Sequence, residues 1–300
     1  MLTCVFACTA SKTLPVTRPL QARWYRTLKL TEAFERWSEA LEQADLTTSV
    51  ARLYKGGYWS VARSLVQDTP LPMQALVASA GVGVRGFHER IPAYAATFNS
   101  PHRDTVPGGE YRSGQVWWWR HTGGRERLRR LADNEDARVA VALPGQYLRV
   151  AMPDLLFLQE NLGPRAITVF TTDEHAINEL GASAVPLAGR MSRVLGGTAG
   201  QLTVRALDHV VRAARYPQDV TPGRAHTLLD DILRKSPAAL YPKRKKQTVH
   251  DVRAWLAEAL ASGDPPTSAT NALRRFRSDG RGFEQKHFSR IFREMQGGTR

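Results

Sequence analysis

Small polar residues close the first apolar run of the chain. Cys8, Ser11 and Lys12 stand at or just after the end of the run that begins at Thr3. Such a turn leaves room for a ligand against backbone amides, and Lys12 there could bind a phosphate or stabilise developing negative charge. An ordinary surface lysine fits the same pattern. The glycines of a Walker loop are missing, so a phosphate-binding loop of that kind is excluded.

A second group of polar and aromatic residues follows a later apolar run. Ser79 ends that run, and Gly81 after it permits the close approach of a ligand to the backbone. The carboxylate of Glu89 could activate water or stabilise an oxocarbenium ion, as carboxylates do in glycoside cleavage. Tyr94 and Phe98 could stack on a nucleobase. The alternative is a surface carboxylate next to core aromatic residues.

The long stretch from Phe98 to Gly124 reads as an irregular, functional loop. It holds Asp104, a second candidate acid, and three consecutive tryptophans centred on Trp118. The tryptophans could form a wedge into a duplex or a stacking platform, and in a strand the central ring would face outward. The histidines are scattered without ligand spacing, so the sequence predicts no metal and no cofactor.

Apolar strand patterns alternate with helical patterns over the first two thirds of the chain. The predicted strands are 3–8, 74–79, 138–143, 166–171 and 182–187, and the helices among them include 31–44, 59–66, 125–134, 147–161 and 201–215. Continuous apolar strands separated by helices are typical of a parallel sheet covered on both faces. We therefore predict an α/β fold with an open, mostly parallel sheet that binds ligands at the carboxyl ends of its strands.

The charge of the 300-residue chain narrows the class of partner. Lys and Arg total 42 against 28 for Asp and Glu, a net charge of +14. This charge predicts a polyanionic partner, with nucleic acid first and an anionic membrane surface second. The alternative is that the charge only keeps a basic protein soluble. Only two cysteines occur, which excludes a disulfide framework and favours a reducing, cytoplasmic location. No apolar run reaches the length of a membrane span.

The end of the chain has the pattern of a nucleic-acid-binding domain. Composition changes to that of a linker around residues 216–223, so we predict domains at 1–215 and 225–300. Two helices, ending near Arg277 and Met295, flank a tight turn with Gly280, the layout of a helix-turn-helix. A solvated helical hairpin is the alternative. Besides Trp118, the predicted nucleic-acid contacts are Lys243, Arg244, Lys245, Lys246, Arg274, Arg275, Arg277, Arg281, Lys286 and Arg290.

Short segments of the chain resemble a known family. They are Cys8-Thr9-Ala10-Ser11-Lys12, Pro19-Leu20-Gln21-Ala22-Arg23-Trp24-Tyr25, and Ala78-Ser79-Ala80-Gly81-Val82 with Ile91-Pro92-Ala93-Tyr94. These segments are similar to bacterial and phage proteins related to the core domain of archaeosine synthase. Part of the tail, Ser268 to Arg274 with Phe283 to Lys286, is similar to the end of some members. The resemblance implies an α/β fold like that of uracil-DNA glycosylase.

Members of this family associated with phage defence include DNA glycosylases that excise glucosylated hydroxymethylcytosine. The resemblance implies a DNA glycosylase that flips such a hypermodified base out of phage DNA and leaves an abasic site. The water-activating Gly-Gln-Asp-Pro-Tyr-His loop is absent, so the acid would be Glu89 or Asp104, with Lys12 neutralising the departing base or a phosphate. The predicted substrate-binding residues are Cys8, Ser11, Tyr25, Ser79, Gly81, Tyr94 and Phe98. A non-catalytic reader of modified DNA or tRNA, and a 7-deazaguanine tRNA-modifying enzyme, remain alternatives.

Overall fold

The computed structural model describes residues 1–237 and 244–297. The chain divides into two compact units, Met1–Pro237 and Ala238–Arg300, whereas the sequence placed the domains at 1–215 and 225–300. The difference arises because the helix after the expected linker belongs to the first unit, with its Ala225, Leu229 and Ile232 buried in the main core. Lys243, a predicted nucleic-acid contact, lies outside the described residues.

A six-stranded sheet forms the centre of the first unit. The strands of this unit are β1 (Leu2–Ala7), β2 (Thr47–Ser49), β3 (Met73–Ser79), β4 (Gly83–Gly86), β5 (Arg90–Pro92), β6 (Arg138–Ala142), β7 (Ile167–Thr171) and β8 (Ala184–Pro186). The sheet has the order β4-β3-β1-β6-β7-β8, and β2 pairs with β5 outside it. Neighbouring strands within the sheet are parallel, except that β3 and β4 are antiparallel. The predicted α/β fold with a mostly parallel sheet is confirmed.

Helices pack against this sheet in two groups. The helices of the first unit are α1 (Leu30–Glu42), α2 (Val50–Leu53), α3 (Gly57–Asp68), α4 (Arg112–His121), α5 (Gly124–Arg129), α6 (Gly145–Leu162), α7 (Glu174–Leu180), α8 (Ser192–Leu195), α9 (Leu202–Arg212) and α10 (Pro222–Lys235). Helix α9 contacts β6 and β7 and has α3 and α10 as neighbours, whereas α6 contacts β7 and is flanked by α4, α5 and α7. The cover explains why every residue of β1 is buried.

The three tryptophans lie in helix α4, not in an irregular loop or a strand. Trp118 and Trp119 are buried, and Trp117 stacks on His121 with ring centroids 3.6 Å apart. The expectation that the central ring faces outward is therefore wrong, because a helix turns consecutive side chains by about 100° instead of alternating them. The indole N–H of Trp118 donates to the carbonyl of Ala80 at 2.8 Å, so this ring supports the end of β3.

The chain reverses direction directly after β3, which the sequence did not indicate. Strand β4 returns beside β3, with Gly83 opposite Ser79 and Gly86 opposite Leu76. Gly83 has a φ of +69°, and a Cβ there would lie 2.1 Å from the carbonyl oxygen of Thr122, so the turn requires glycine. The reversal carries the following residues away from the carboxyl end of β3.

The second unit is a small helical bundle with its own core. It contains β9 (Lys245–Lys246), α11 (Val249–Ala261), α12 (Ala269–Ser278), β10 (Arg281–Gly282) and α13 (Gln285–Gly297). The two helices predicted from the sequence are α12 and α13. They and α11 share a cluster of buried apolar residues, among them Leu256, Phe276 and Phe288. Ser268 starts α12 by accepting a hydrogen bond from the amide of Asn271, as its position before the helix indicates.

Candidate functional site

The carboxyl ends of β1 and β3 bring together the polar residues that follow the first apolar run, around Cys8, and those that begin at Ser79. The strands are parallel, with Ala7 opposite Ala78, and the amide of Cys8 donates to the carbonyl of Ala78 at 2.9 Å. Cys8 and Ser79 therefore follow neighbouring strand ends at one edge of the sheet. Lys12 pairs with Tyr54 in an isolated bridge, which anchors the turn after β1 next to this edge. The sequence expectation that Cys8, Lys12 and Ser79 share an edge agrees with this geometry.

Three hydroxyl groups form a buried chain at this edge. The Ser79 hydroxyl contacts that of Tyr94, which lies 2.5 Å from the hydroxyl of Tyr54. The Ser79 oxygen also accepts the amides of Gly81 at 3.0 Å and Val82 at 3.2 Å. With both lone pairs occupied, Ser79 must donate its own proton to Tyr94, and Tyr94 then donates to Tyr54. Burial raises the pKa of Tyr54 and of Tyr94 well above the ordinary range, so both remain neutral hydrogen-bonding groups.

Lys12 places its ammonium group over this chain. Its Nζ lies 4.5 Å from the ring centre of Tyr94 and 5.5 Å from that of Tyr54, and it donates to the carbonyl of Thr9 at 3.1 Å. Within residues 1–237 and 244–297, no carboxylate lies within ion-pair distance of Nζ. Burial lowers the pKa of Lys12, and the nearby Cys8 and Asp104 partly oppose this change. The amine is therefore a partly desolvated cation without an ionic partner in the described part of the chain.

Lys12, Ser79, Tyr94 and Tyr54 together form what we call the Lys12 cluster. Cys8 and Tyr147 border it. The Cys8 sulfur lies 3.2 Å from the hydroxyl oxygen of Tyr147, whose pKa burial raises well above the ordinary range. Tyr147 stands near the start of α6, which follows β6. Phe98 packs edge-on against Tyr147 with centroids 5.2 Å apart. The site therefore has a sulfur atom and an aromatic wall on the β6 side.

The predicted base-stacking residues are already covered. Tyr94 and Phe98 are fully buried, and Lys12 lies over the ring of Tyr94. A Cβ at Gly81 would lie 2.3 Å from that ring, which explains the glycine by close packing against Tyr94. Neither ring offers a free face to a nucleobase, contrary to the sequence expectation. Trp118 likewise cannot contact nucleic acid, because it is buried behind Ala80.

Asp104 lies near the cluster but has both carboxylate oxygens engaged. Arg23 donates to them at 2.7 Å and 3.0 Å in a bidentate pair, and Arg103 lies 3.3 Å from Oδ2. Asp104 is buried, whereas Arg103 is exposed. Such a carboxylate is held in place by guanidinium groups and lacks a free oxygen for activating water. Its geometry suits positioning and electrostatics better than general acid–base chemistry.

The structure separates Glu89 from the cluster. The reversal through β4 brings the amide of Phe87 to the carbonyl of Ala75, near the start of β3. The carboxylate of Glu89 pairs there with Arg127 of α5. Tyr25 is also removed from a ligand role, since its hydroxyl donates to the carbonyl of Pro19 at 2.6 Å and its ring packs on Trp37. Ser11 is exposed, and its carbonyl accepts the amide of Lys55.

Tyr54, Tyr147 and Arg23 are site or near-site residues that the sequence did not indicate as ligand-binding residues. Tyr147 had a signal, since it comes shortly after a strand end and the dipeptide Pro144-Gly145. Tyr54 had none, because it follows a short helix and its hydroxyl meets Tyr94 only through a tertiary contact. Arg23 had no signal either, because its role depends on the tertiary contact with Asp104.

The predicted basic contacts of the second unit fall into two classes. Arg275 pairs with Asp264 at 2.8 Å, Arg290 bonds His287 at 2.5 Å, and Arg281 lies over the ring of Phe276. By contrast, Lys245, Lys246, Arg244, Arg274 and Lys286 make no side-chain hydrogen bond or ion pair with the described part of the chain.

A groove of about 540 Å³ gathers part of the unpaired charge in this unit. Its lining includes Arg244, Arg274 and Arg277, together with Thr270 and Gln285, and no described acidic residue lines it. Arg277 is held by a hydrogen bond to the carbonyl of Phe283 at 3.2 Å. Three guanidinium groups without a carboxylate make this groove, which we call the arginine groove, a surface for phosphate groups.

The chain was compared with family models, curated proteins and solved structures. No family model, curated protein or solved structure matches the chain. Within the described ranges, no group of three or more His, Cys, Asp or Glu side chains is arranged to hold a metal ion. Over the same ranges, no helix combines the length and the apolar character that crossing a membrane requires.

Proposed function

We propose that this chain is a DNA N-glycosylase that acts on a modified base, with its site around Lys12. The observation that carries the proposal is the partly desolvated Lys12 ammonium at the carboxyl edge of the sheet, for which the described residues supply no ionic partner. Ligands of open parallel sheets bind at this edge. A preorganised cation in a region of reduced dielectric strongly stabilises negative charge that develops during a reaction.

The proposed reaction breaks the bond between C1′ of the sugar and the ring nitrogen of the base. The bonding electrons leave with the base, and the Lys12 ammonium stabilises them. Water then bonds to C1′, and its proton passes to the departing base, which leaves an abasic sugar. The extruded base would approach from the turn Thr9–Ser11, where Ala10 and Ser11 are exposed. The hydroxyl chain of Ser79, Tyr94 and Tyr54 would hold Lys12 in place.

The proposed partner is double-stranded DNA. The arginine groove supports this choice, because its guanidinium groups can each contact a backbone phosphate without losing an existing ion pair. We further propose that the first unit follows the plan of uracil-DNA glycosylase and that α12 and α13 act as a helix-turn-helix. The glucosylated hydroxymethylcytosine of phage DNA is the proposed base, on the basis of the family resemblance alone.

The direct test is the formation of abasic sites. Purified protein is incubated with DNA containing glucosylated hydroxymethylcytosine and with unmodified DNA, and abasic sites are revealed by cleavage in alkali. We expect strand breaks only with modified DNA and a loss of about 100-fold in rate for Lys12→Met. Lys55→Met, which removes an exposed lysine, is the matched control and should leave the rate unchanged. Absence of abasic sites on modified DNA that the protein binds would reject the proposal.

A second candidate is a non-catalytic reader of modified DNA or tRNA. The engaged oxygens of Asp104 and the displaced Glu89 favour it, because neither predicted acid is placed to activate water. A reader would bind modified DNA with a measurable preference and leave it intact. Competition between modified DNA and tRNA for the protein also tests the 7-deazaguanine tRNA-modifying alternative, which requires tRNA to bind more tightly.

A further inference from the structure

Trp24 is a large aromatic residue that the fold leaves in water. It is 51% exposed, although Trp118, Trp119, Trp37 and Trp59 are fully buried. The guanidinium carbon of Arg18 lies 4.4 Å from the centre of its ring. A tryptophan ring held by a cation on one side keeps its remaining surface available for another flat group.

Two contacts join the turn that carries Trp24 to segments near the Lys12 cluster. Trp24 belongs to a short 3-10 turn, Ala22–Tyr25, and the amide of Ala22 donates to the carbonyl of Ala95 at 2.8 Å. Ala95 directly follows Tyr94, the residue under the Lys12 ammonium. On the other side, Arg23 binds Asp104, which is close enough to Lys12 to affect its pKa. The turn that carries the exposed ring is therefore tied on one side to the residue after Tyr94 and on the other to Asp104.

The surroundings of Trp24 are basic. Arg18 is exposed and makes no ion pair with the described part of the chain, and Arg26 is held by Glu110 at 2.6 Å. An aromatic ring with adjacent guanidinium groups matches a nucleic-acid strand, whose bases have flat faces and whose backbone is anionic. A protein partner would be expected to cover a wider apolar surface than one ring.

We infer that Trp24 stacks on a nucleobase of the DNA that enters the Lys12 site. This inference rests on the proposed function for the identity of the strand. The ring would support the base stack beside the extruded nucleotide, a role that the sequence assigned to the buried tryptophans of α4. Arg18 would hold the ring and contact the flanking phosphate.

The experiment measures the affinity of Trp24→Ala, Trp24→Phe and wild-type protein for a short duplex by fluorescence anisotropy over a series of salt concentrations. Tyr216→Ala is the matched control, because Tyr216 is 66% exposed elsewhere on the first unit. We expect Trp24→Ala to weaken binding by about 5- to 100-fold and Trp24→Phe to retain part of the affinity. The salt dependence should remain unchanged in both, because stacking releases no counterions, whereas Arg18→Ala should reduce it.

Equal affinities of Trp24→Ala, Tyr216→Ala and wild-type protein would overturn the inference. The same comparison in an Arg244→Ala, Arg274→Ala background removes binding through the arginine groove that could mask the effect. The failure of the proposed function has a different signature. In that case the wild-type protein makes no abasic sites, while Trp24→Ala still loses affinity for DNA.

Discussion

The charge state of Lys12 is set by its packing. Burial lowers the pKa of its amine below the ordinary lysine value of 10.5, and no carboxylate among the described residues compensates by pairing with it. The same packing explains Gly81, whose missing side chain gives the Tyr94 ring its space. Each of these residues supports a test that does not depend on the substrate.

The titration of Lys12 should be visible in both spectra and stability. The folded pKa is lowered, so the charged form is disfavoured by folding at neutral pH. This penalty should disappear as the pH rises from the folded pKa towards 10.5. Relative to Lys12→Met, the wild-type protein should therefore gain stability over that window. The carbon-13 shift of the Lys12 Cε atom, assigned by its absence in Lys12→Met, should also titrate with a midpoint below 10.5. A Lys12 midpoint at or above 10.5 would contradict the prediction.

Gly81→Ala should destabilise the first unit, because its Cβ would lie 2.3 Å from the Tyr94 ring, which is itself buried. We expect a loss of about 1–3 kcal/mol in the free energy of unfolding, measured with urea. Gly223→Ala in α10 is the control, since no atom lies within 4 Å of the added Cβ, and it should be neutral or slightly stabilising. Equal stabilities of the two variants would show that Tyr94 moves freely.

At the scale of elements, the buried acid Asp154 joins helices α4, α5 and α6. Asp154 of α6 accepts the indole N–H of Trp119 in α4 at 2.9 Å and binds Arg129 of α5 at 2.8 Å. Asp154 is buried, whereas Arg129 is partly exposed. This contact explains why the tryptophan run is structural: its indole groups satisfy polar atoms inside the fold.

Asp154→Ala should therefore be strongly destabilising, by about 2–4 kcal/mol in the free energy of unfolding, because it leaves an indole N–H and a guanidinium without their acceptor. Glu32→Ala removes an ion pair with Arg36 in which both side chains are exposed, and it should change stability by less than about 0.5 kcal/mol. Thermal or urea unfolding followed by circular dichroism compares the two. Similar losses would mean that the buried network contributes no more than a surface pair.

At the scale of the whole molecule, the net charge of +14 is distributed unevenly between paired and unpaired cations. Arg274 and Arg275 are neighbours on α12; Asp264 neutralises Arg275, whereas no described carboxylate pairs with Arg274. Net charge alone would make the two residues equivalent for DNA binding, whereas the arginine groove makes them different.

Arg274→Ala should weaken DNA binding and lower the slope of log affinity against log salt by about one, as expected for the loss of one phosphate contact. Arg275→Ala should have a much smaller effect on this slope, because its guanidinium is already paired. Anisotropy titrations at several salt concentrations compare the two variants. Equal slopes would show that long-range charge, and not the groove, controls binding.

The sequence by itself determined the α/β class, the five strands that run parallel in the sheet and the two terminal helices. These features follow from local apolar patterns and caps, which need no distant partner. It also indicated Cys8, Lys12 and Ser79, because parallel strand ends meet at one edge.

Only the tertiary structure decided which of the candidate residues meet. The antiparallel return of β4 takes Glu89 to Arg127, and α4 buries Trp118. Tyr54 joins Tyr94 across forty positions of sequence. These outcomes depend on chain reversals and on side-chain contacts between distant segments. Local periodicity carries no information on such contacts, so the acid, the aromatic contact and the environment of Lys12 could not be fixed from the sequence.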